Sequence, residues 1–112
     1  MYSKFLIILI LGLFSVVTNA TDATSEFKNY INKPYEKFRN NLISNGWSPL
    51  INKDNEKRSF YAQEVSDKGY SEVINCISME RDECEFAFIK KQKIIFIKTK
   101  DKNFIVYSIT LK

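Results

Sequence analysis

Few side chains in this sequence have the types and spacing that catalysis requires. The chain contains no histidine, which excludes Ser-His and Cys-His nucleophilic sites and the usual zinc sites. Beyond the first twenty residues the only glycines are Gly46 and Gly69, so a glycine-rich phosphate-binding loop is absent. The sequence therefore predicts a protein that is not an enzyme and that holds no cofactor or metal.

Carboxylates are the remaining candidates for acid–base or metal chemistry. Four of them lie close together in the C-terminal half: Glu80, Asp82, Glu83 and Glu85. Their spacing lacks the ligand order and the turn glycine of a calcium-binding loop. We interpret them as a solvated, charged connection, because nothing in the sequence indicates a pocket with paired acids.

Lysines form a second charged group, which consists of Lys90, Lys91, Lys93, Lys98, Lys100 and Lys102 with only Asp101 among them. Such a group suits phosphate, an acidic polysaccharide or the acidic cleft of another protein. The preferred interpretation is that lysines on edge strands and turns prevent edge-to-edge aggregation. The whole chain has a formal net charge of +4, which is too mild to indicate nucleic-acid binding by itself.

The first twenty residues have the layout of a secretory signal peptide. Lys4 precedes an apolar run over residues 5–17, and Thr18-Asn19-Ala20 follows it. The run is shorter than the roughly 20 apolar residues of a membrane-spanning helix, so we expect cleavage after Ala20 rather than a retained membrane anchor. The expectation is a periplasmic or secreted protein in which residues 21–112 form one domain.

Two cysteines, Cys76 and Cys84, lie beyond this segment. In an oxidising compartment a close pair indicates a disulfide. The alternatives are free thiols or metal ligands, but a metal site lacks further cysteine or histidine partners. The pair is not a Cys-x-x-Cys redox motif. A bridge that closes so short a loop stabilises the fold by about 2–3 kcal/mol.

One helix and four strands are predicted to position these residues. The helix begins at Pro34 and ends at Asn45-Gly46, with Trp47 packed against its end. Its apolar stripe is Tyr35, Phe38, Leu42 and Ile43, whereas Glu36, Lys37, Arg39, Asn40 and Asn41 take the other sides. A short helical turn is possible at Phe27, Tyr30 and Ile31.

The strands are predicted over residues 72–78, 84–89, 94–100 and 104–111, with turns at 90–93 and 101–103. Residues 60–65 fit either a strand or a helical turn. Ile74, Cys76, Cys84, Phe86 and Phe88 are expected on one face, and Ile105, Tyr107, Ile109 and Leu111 are expected to alternate against Val106, Ser108 and Thr110. The predicted fold is an α+β domain with the helix packed on a four-stranded antiparallel meander.

Four segments in order carry a resemblance: PYEKFRNNLISNGW (residues 34–47), Gly-Tyr at 69–70, EVINC (72–76) and CEFAF (84–88). The chain resembles small exported bacterial proteins of unassigned activity with a helix, Gly-Trp, Glu-Val-x-x-Cys and Cys-x-Phe-x-Phe layout. The resemblance implies the fold, export and the disulfide, and it transfers no catalytic residue. The shape is also similar to periplasmic inhibitor and PepSY-like modules.

These observations predict a non-enzymatic module that binds another protein in the cell envelope or outside the cell, with an inhibitor or immunity-like role as one version. The candidate partner-binding residues are Glu80, Arg81, Asp82, Lys91 and Lys93. The alternative is a module that binds anionic envelope polymers or nucleic acid through the C-terminal lysines, although nucleic acid is not the expected partner.

Overall fold

The computed structural model describes residues 27–51, 58–78 and 82–112. A 3₁₀ helix (Lys28–Tyr30) precedes helix α1 (Tyr35–Ser44), strand β1 (Ser48–Pro49), helix α2 (Phe60–Asp67) and strands β2 (Val73–Ser78), β3 (Asp82–Lys90), β4 (Lys93–Lys100) and β5 (Ile105–Leu111). The predicted α+β class is confirmed. The predicted signal peptide lies outside the described residues, and no helix within them is long and apolar enough to span a membrane.

The sheet is antiparallel throughout, and β3 is its central strand. β4 pairs with one side of β3, and β5 pairs with β4. The other side of β3 is shared, since β2 pairs with its first part through Cys76 and Cys84, and β1 pairs with its end through Pro49 and Phe88. The predicted meander of β2 to β5 is confirmed, and the two-residue strand β1 is added to it.

A Schellman motif ends α1 where the sequence predicts a stop. Gly46 has a φ of 90°, which glycine adopts without steric cost. The Trp47 N–H donates to the Leu42 carbonyl at 2.9 Å, and the Gly46 N–H donates to the Ile43 carbonyl at 3.2 Å. Trp47 and Leu42 are both buried, so the chain turns back after Gly46 and packs Trp47 against the end of α1.

The buried stripe of α1 differs from the predicted stripe at two positions. Tyr35, Phe38 and Leu42 are buried as predicted, but Ile43 is 43% exposed. Arg39, predicted on a solvated side, is half-buried. Both predictions were wrong for the same reason. Around the helix axis, Arg39 lies closer to Tyr35 than Ile43 does. Because α1 turns its Tyr35 side toward the sheet, Arg39 is partly covered and Ile43 is left exposed.

Residues 60–65, which fitted two structures, belong to helix α2. The Ser59 hydroxyl caps this helix by accepting a hydrogen bond from the Ala62 N–H at 3.1 Å. The same hydroxyl donates to the Cys76 carbonyl at 2.7 Å. The cap and the bond to β2 fix the helical alternative, and α2 buries Ala62 and Val65 against the core.

Two β-bulges overturn the predicted faces of the outer strands. In β2 the register shifts between Val73 and Asn75, so Val73 instead of Ile74 lies opposite Phe86 and is buried. In β5 the register shifts beside Tyr107, and the face that carries Ile109 also carries the fully buried Val106. One inserted residue reverses the alternation of side chains, and alternation alone does not show where the insertion falls.

Candidate binding groove

The candidate residues from the sequence do not lie on one surface. Asp82 is the first residue of β3, whereas Lys91 follows the last residue of that strand. At about 3.3 Å per residue these two positions are about 30 Å apart. Glu80 and Arg81 lie outside the described residues. The structure therefore groups Lys91 and Lys93 at one end of the sheet and places Asp82 at the other.

Five of the six C-terminal lysines separate into two groups, and the sixth, Lys102, lies in the β4–β5 loop. Lys98 lies opposite Glu85 and Lys100 lies opposite Glu83 in the β3–β4 register, an arrangement that places opposite charges across the strands. Asp101 is the only acidic residue among these lysines in the sequence, but the strand register brings two glutamates opposite them. The lysines at the β3–β4 turn, which are Lys90, Lys91 and Lys93, form the second group.

The turn lysines line a cavity of about 700 Å³ between the C-terminal end of α1 and the β3–β4 turn. A second cavity of about 470 Å³ continues along α1 and shares Phe27, Asn41 and Asn45 with the first. We call the two together the basic groove. Its described lining consists of five lysines, four amides, three aromatic residues and Leu111: Lys33, Lys37, Lys90, Lys91, Lys93, Asn29, Asn41, Asn45, Gln92, Phe27, Tyr30, Trp47 and Leu111.

The floor of the basic groove is aromatic and is held by the core. The Phe27 ring lies 6.1 Å from Trp47 in an edge-on arrangement and 5.7 Å from Phe38. Tyr30 stacks on Phe38 at 4.6 Å. Because Phe38 is fully buried beneath these rings, the floor is fixed in place before any ligand arrives.

The charged side chains among the described residues of the basic groove are all lysines. None of the described residues that line it is acidic. The Lys90 ammonium donates to the Asn45 carbonyl at 2.7 Å, so it ties the turn to the negative end of the α1 dipole. Lys91 and Lys93 are exposed, and their charges face a site where a carboxylate would meet no repulsion from the described lining.

Lys91 has a backbone conformation that lysine rarely adopts. Lys90 pairs with Lys93, so Lys91 and Gln92 form a two-residue hairpin turn. Lys91 has a φ of 57°, and Gln92 has no positive φ, which is the pattern of a type II′ turn whose first position favours glycine. Glycine at this position would therefore relieve the strain and remove one of the groove's charges at the same time.

The sequence did not predict a buried polar network formed by Tyr35, Arg39 and Glu72. Glu72 is completely buried and accepts hydrogen bonds from the Tyr35 hydroxyl at 2.6 Å and from Arg39 Nε at 2.7 Å. Arg39 Nη2 also donates to the second carboxylate oxygen and to the Gly69 carbonyl, each at 3.3 Å. The i, i+4 spacing of Tyr35 and Arg39 was the available signal, because it places both on one side of α1.

The network is internally satisfied and lies away from the basic groove. Burial, reinforced by the charge of Glu72, raises the pKa of Tyr35 far above the usual tyrosine range. The hydrogen bond with Glu72 raises the pKa of Arg39. These side chains do not line the groove, so we assign the network to the placement of α1 on the sheet.

Two exposed apolar side chains lie toward the far end of the sheet. Phe60 is 83% exposed and Ile77 is 53% exposed. Their chain neighbours Ser59 and Cys76 are hydrogen-bonded, so both backbone positions lie near this end of β2, although Ile77 and Cys76 point to opposite faces of the sheet. Sequence reasoning placed these residues in elements without recognising that they are exposed.

Comparisons with protein-family models, with curated proteins and with solved structures found no match for this chain. The resemblance to small exported bacterial proteins therefore stays a prediction. Among the described residues, no cluster of three or more cysteine or acidic side chains is arranged to hold a metal ion. A functional inference for this protein depends on the geometry of its surfaces.

Proposed function

We propose that this protein is a non-enzymatic module that binds another protein by accepting an acidic segment of that protein in the basic groove. The observation that carries the proposal is the groove itself, in which five lysines and no described acidic residue surround an aromatic floor. Complementary charge accelerates association and selects partners, and an apolar floor supplies affinity.

The lysines of the basic groove come from two distant parts of the chain. Lys33 precedes α1 and Lys37 lies in its first turn, whereas Lys91 and Lys93 lie at the β3–β4 turn. The fold brings them to one groove although it matches Lys98 and Lys100 with carboxylates elsewhere. This contrast supports a binding role for the groove lysines, because a general role in solubility would not require their convergence.

The proposed setting is the cell envelope or the outside of the cell. The disulfide between Cys76 and Cys84 is compatible with an oxidising compartment, and the first twenty residues support export. An inhibitor or immunity-like protein is one version of this function, since such a protein acts by covering a surface of its partner.

The second candidate function is the binding of an anionic envelope polymer or nucleic acid, and the five groove lysines favour it. The floor argues against the nucleic-acid version, because base stacking needs exposed aromatic faces, and Trp47 is only 8% exposed while Phe27 and Tyr30 are half-buried. Polyanion binding weakens steeply as salt increases, whereas a protein contact with an apolar anchor weakens much less.

The experiment is capture of partners from envelope extract with three immobilised proteins: the wild type, the double variant Lys91→Glu/Lys93→Glu, and the control Lys102→Glu. The control reverses a charge in the β4–β5 loop, outside the groove. We expect one stoichiometric protein on the wild type and the control, retained at moderate salt and absent from the double variant. Equal retention by all three proteins, or recovery of polymer alone, contradicts the proposal.

A further inference from the structure

Strand β5 forms the edge of the sheet opposite to β2. Ile94 and Lys112 exchange both of their backbone hydrogen bonds, each at 2.8 Å. In an antiparallel pair such bonded residues alternate with residues whose N–H and C=O groups point away from the partner strand. The backbone groups of Ile109 and Leu111 therefore point outward from the sheet.

The first part of this edge is already covered. The Asn32 N–H donates to the Val106 carbonyl at 2.7 Å, and the Val106 N–H donates to the Lys33 carbonyl at 2.9 Å. Pro34 forms an isolated antiparallel bridge with Ile105. No described residue forms a backbone hydrogen bond of this kind with Ile109 or Leu111. Among the described residues, the pairing thus stops halfway along β5.

The part of this edge that no described residue covers leads into the basic groove. The Leu111 side chain lines the groove together with Phe27, Trp47 and Lys93, and its backbone groups belong to the edge. An extended chain that pairs with β5 here would direct alternate side chains toward the aromatic floor and the lysines.

We propose that the partner's acidic segment binds as an added β-strand on Ile109 and Leu111, with its carboxylates at the lysines of the basic groove. This inference rests on the proposed function and specifies its mode of recognition. The occupant is an acidic strand rather than a second copy of this chain, because two copies paired through β5 would bring two lysine-rich grooves together, and like charges repel.

The test uses a short peptide of alternating glutamate and valine, observed by NMR through the amide signals of Ile109 and Leu111. Two matched peptides carry backbone N-methyl groups, one on the glutamates and one on the valines. Only one of these sets has N–H groups that face β5. We expect one methylated peptide to lose at least about tenfold in affinity, and the other to bind like the parent.

A substitution in the protein, rather than in the peptide, tests the same edge of β5. Ile109→Pro removes an outward N–H that β4 does not use, so the ladder hydrogen bonds remain. We expect this variant to keep its far-UV circular dichroism and to bind the parent peptide at least about tenfold more weakly. If it does not fold, the methylated peptides on the wild-type protein still decide the question.

The outcomes separate this inference from the proposed function. Equal binding by both methylated peptides overturns strand addition, and the proposed function stands if Lys91→Glu still weakens binding. A methylation effect without a Lys91→Glu effect supports strand addition and contradicts the groove proposal. Amide signals of Ile109 and Leu111 that stay unchanged at millimolar peptide overturn strand addition. A dimer of this protein that buries β5 also overturns it, and light scattering detects such a dimer by its mass.

Discussion

At the scale of single residues, Glu72 determines how α1 is held on the sheet. Its carboxylate is completely buried and accepts hydrogen bonds from two side chains of α1, Tyr35 and Arg39. A buried charge is tolerated only when it is paired and hydrogen-bonded. Tyr35 also stacks on Phe86 of β3 at a centroid distance of 4.0 Å. The network and the aromatic contact therefore position the same helix face.

Glu72→Gln should destabilise the protein by about 3 kcal/mol, because it leaves Arg39 without its buried counter-charge. Urea unfolding measures the loss. The matched control is Glu64→Gln, which changes an exposed residue of α2 and should cost less than about 0.5 kcal/mol. Equal losses in the two variants would show that the network does not secure α1.

Tyr35 should make the protein sensitive to alkali. Burial and Glu72 raise the pKa of Tyr35 in the folded state, whereas an unfolded tyrosine ionises near pH 10, so the stabilisation is complete below about pH 10 and is lost above it. Above that pH, Tyr35→Phe should reduce the decline in unfolding free energy by about 1.4 kcal/mol per pH unit. Identical slopes for variant and wild type would contradict this assignment.

At the scale of elements, periodic apolar patterns predicted α1 and the strands β2 to β5. An apolar pattern indicates which face of a helix or strand is buried. For a strand this is correct as long as successive side chains alternate between the two faces of the sheet. The patterns failed at Ile74 and Val106, where bulges in β2 and β5 reverse the alternation. They also left α2 undecided, because its helical form depends on the contact of Ser59 with Cys76.

The basic groove could be predicted only in part. Lys91 and Lys93 stood out because they are close in sequence to other lysines. Lys33 and Lys37 did not, since only the packing of α1 against the β3–β4 turn brings them to the same groove. The charge compensation of Lys98 and Lys100 depends on strand register, which no charge count reveals.

The predicted disulfide is confirmed, and its position between β2 and β3 explains why it should stabilise the fold. Cys76 and Cys84 are directly opposite in the β2–β3 register, so the bridge fixes the alignment that buries Phe86. Cys76→Ser/Cys84→Ser should lower the free energy of unfolding by about 2–3 kcal/mol. Thermal unfolding with and without reductant checks this, and an unchanged melting temperature after reduction would contradict it.

At the scale of the whole molecule, the two ends of the sheet carry different surfaces. One end presents the basic groove, which has lysines and no described acidic lining residue. The other end has lysines that lie opposite glutamates, and Phe60 and Ile77 are exposed there. The mild net charge of the whole chain therefore hides a local concentration of lysines in the basic groove. Under the proposed function, this uneven charge orients the acidic partner during its approach.

The most direct test of the binding role uses Lys91→Gly. Glycine relieves the positive φ of Lys91 and should leave stability unchanged or raise it by up to about 1 kcal/mol. The same change removes a groove charge. Isothermal titration with the glutamate–valine peptide should therefore show an affinity at least about threefold lower in a protein that melts no earlier. Unchanged affinity in that stable variant would contradict the account.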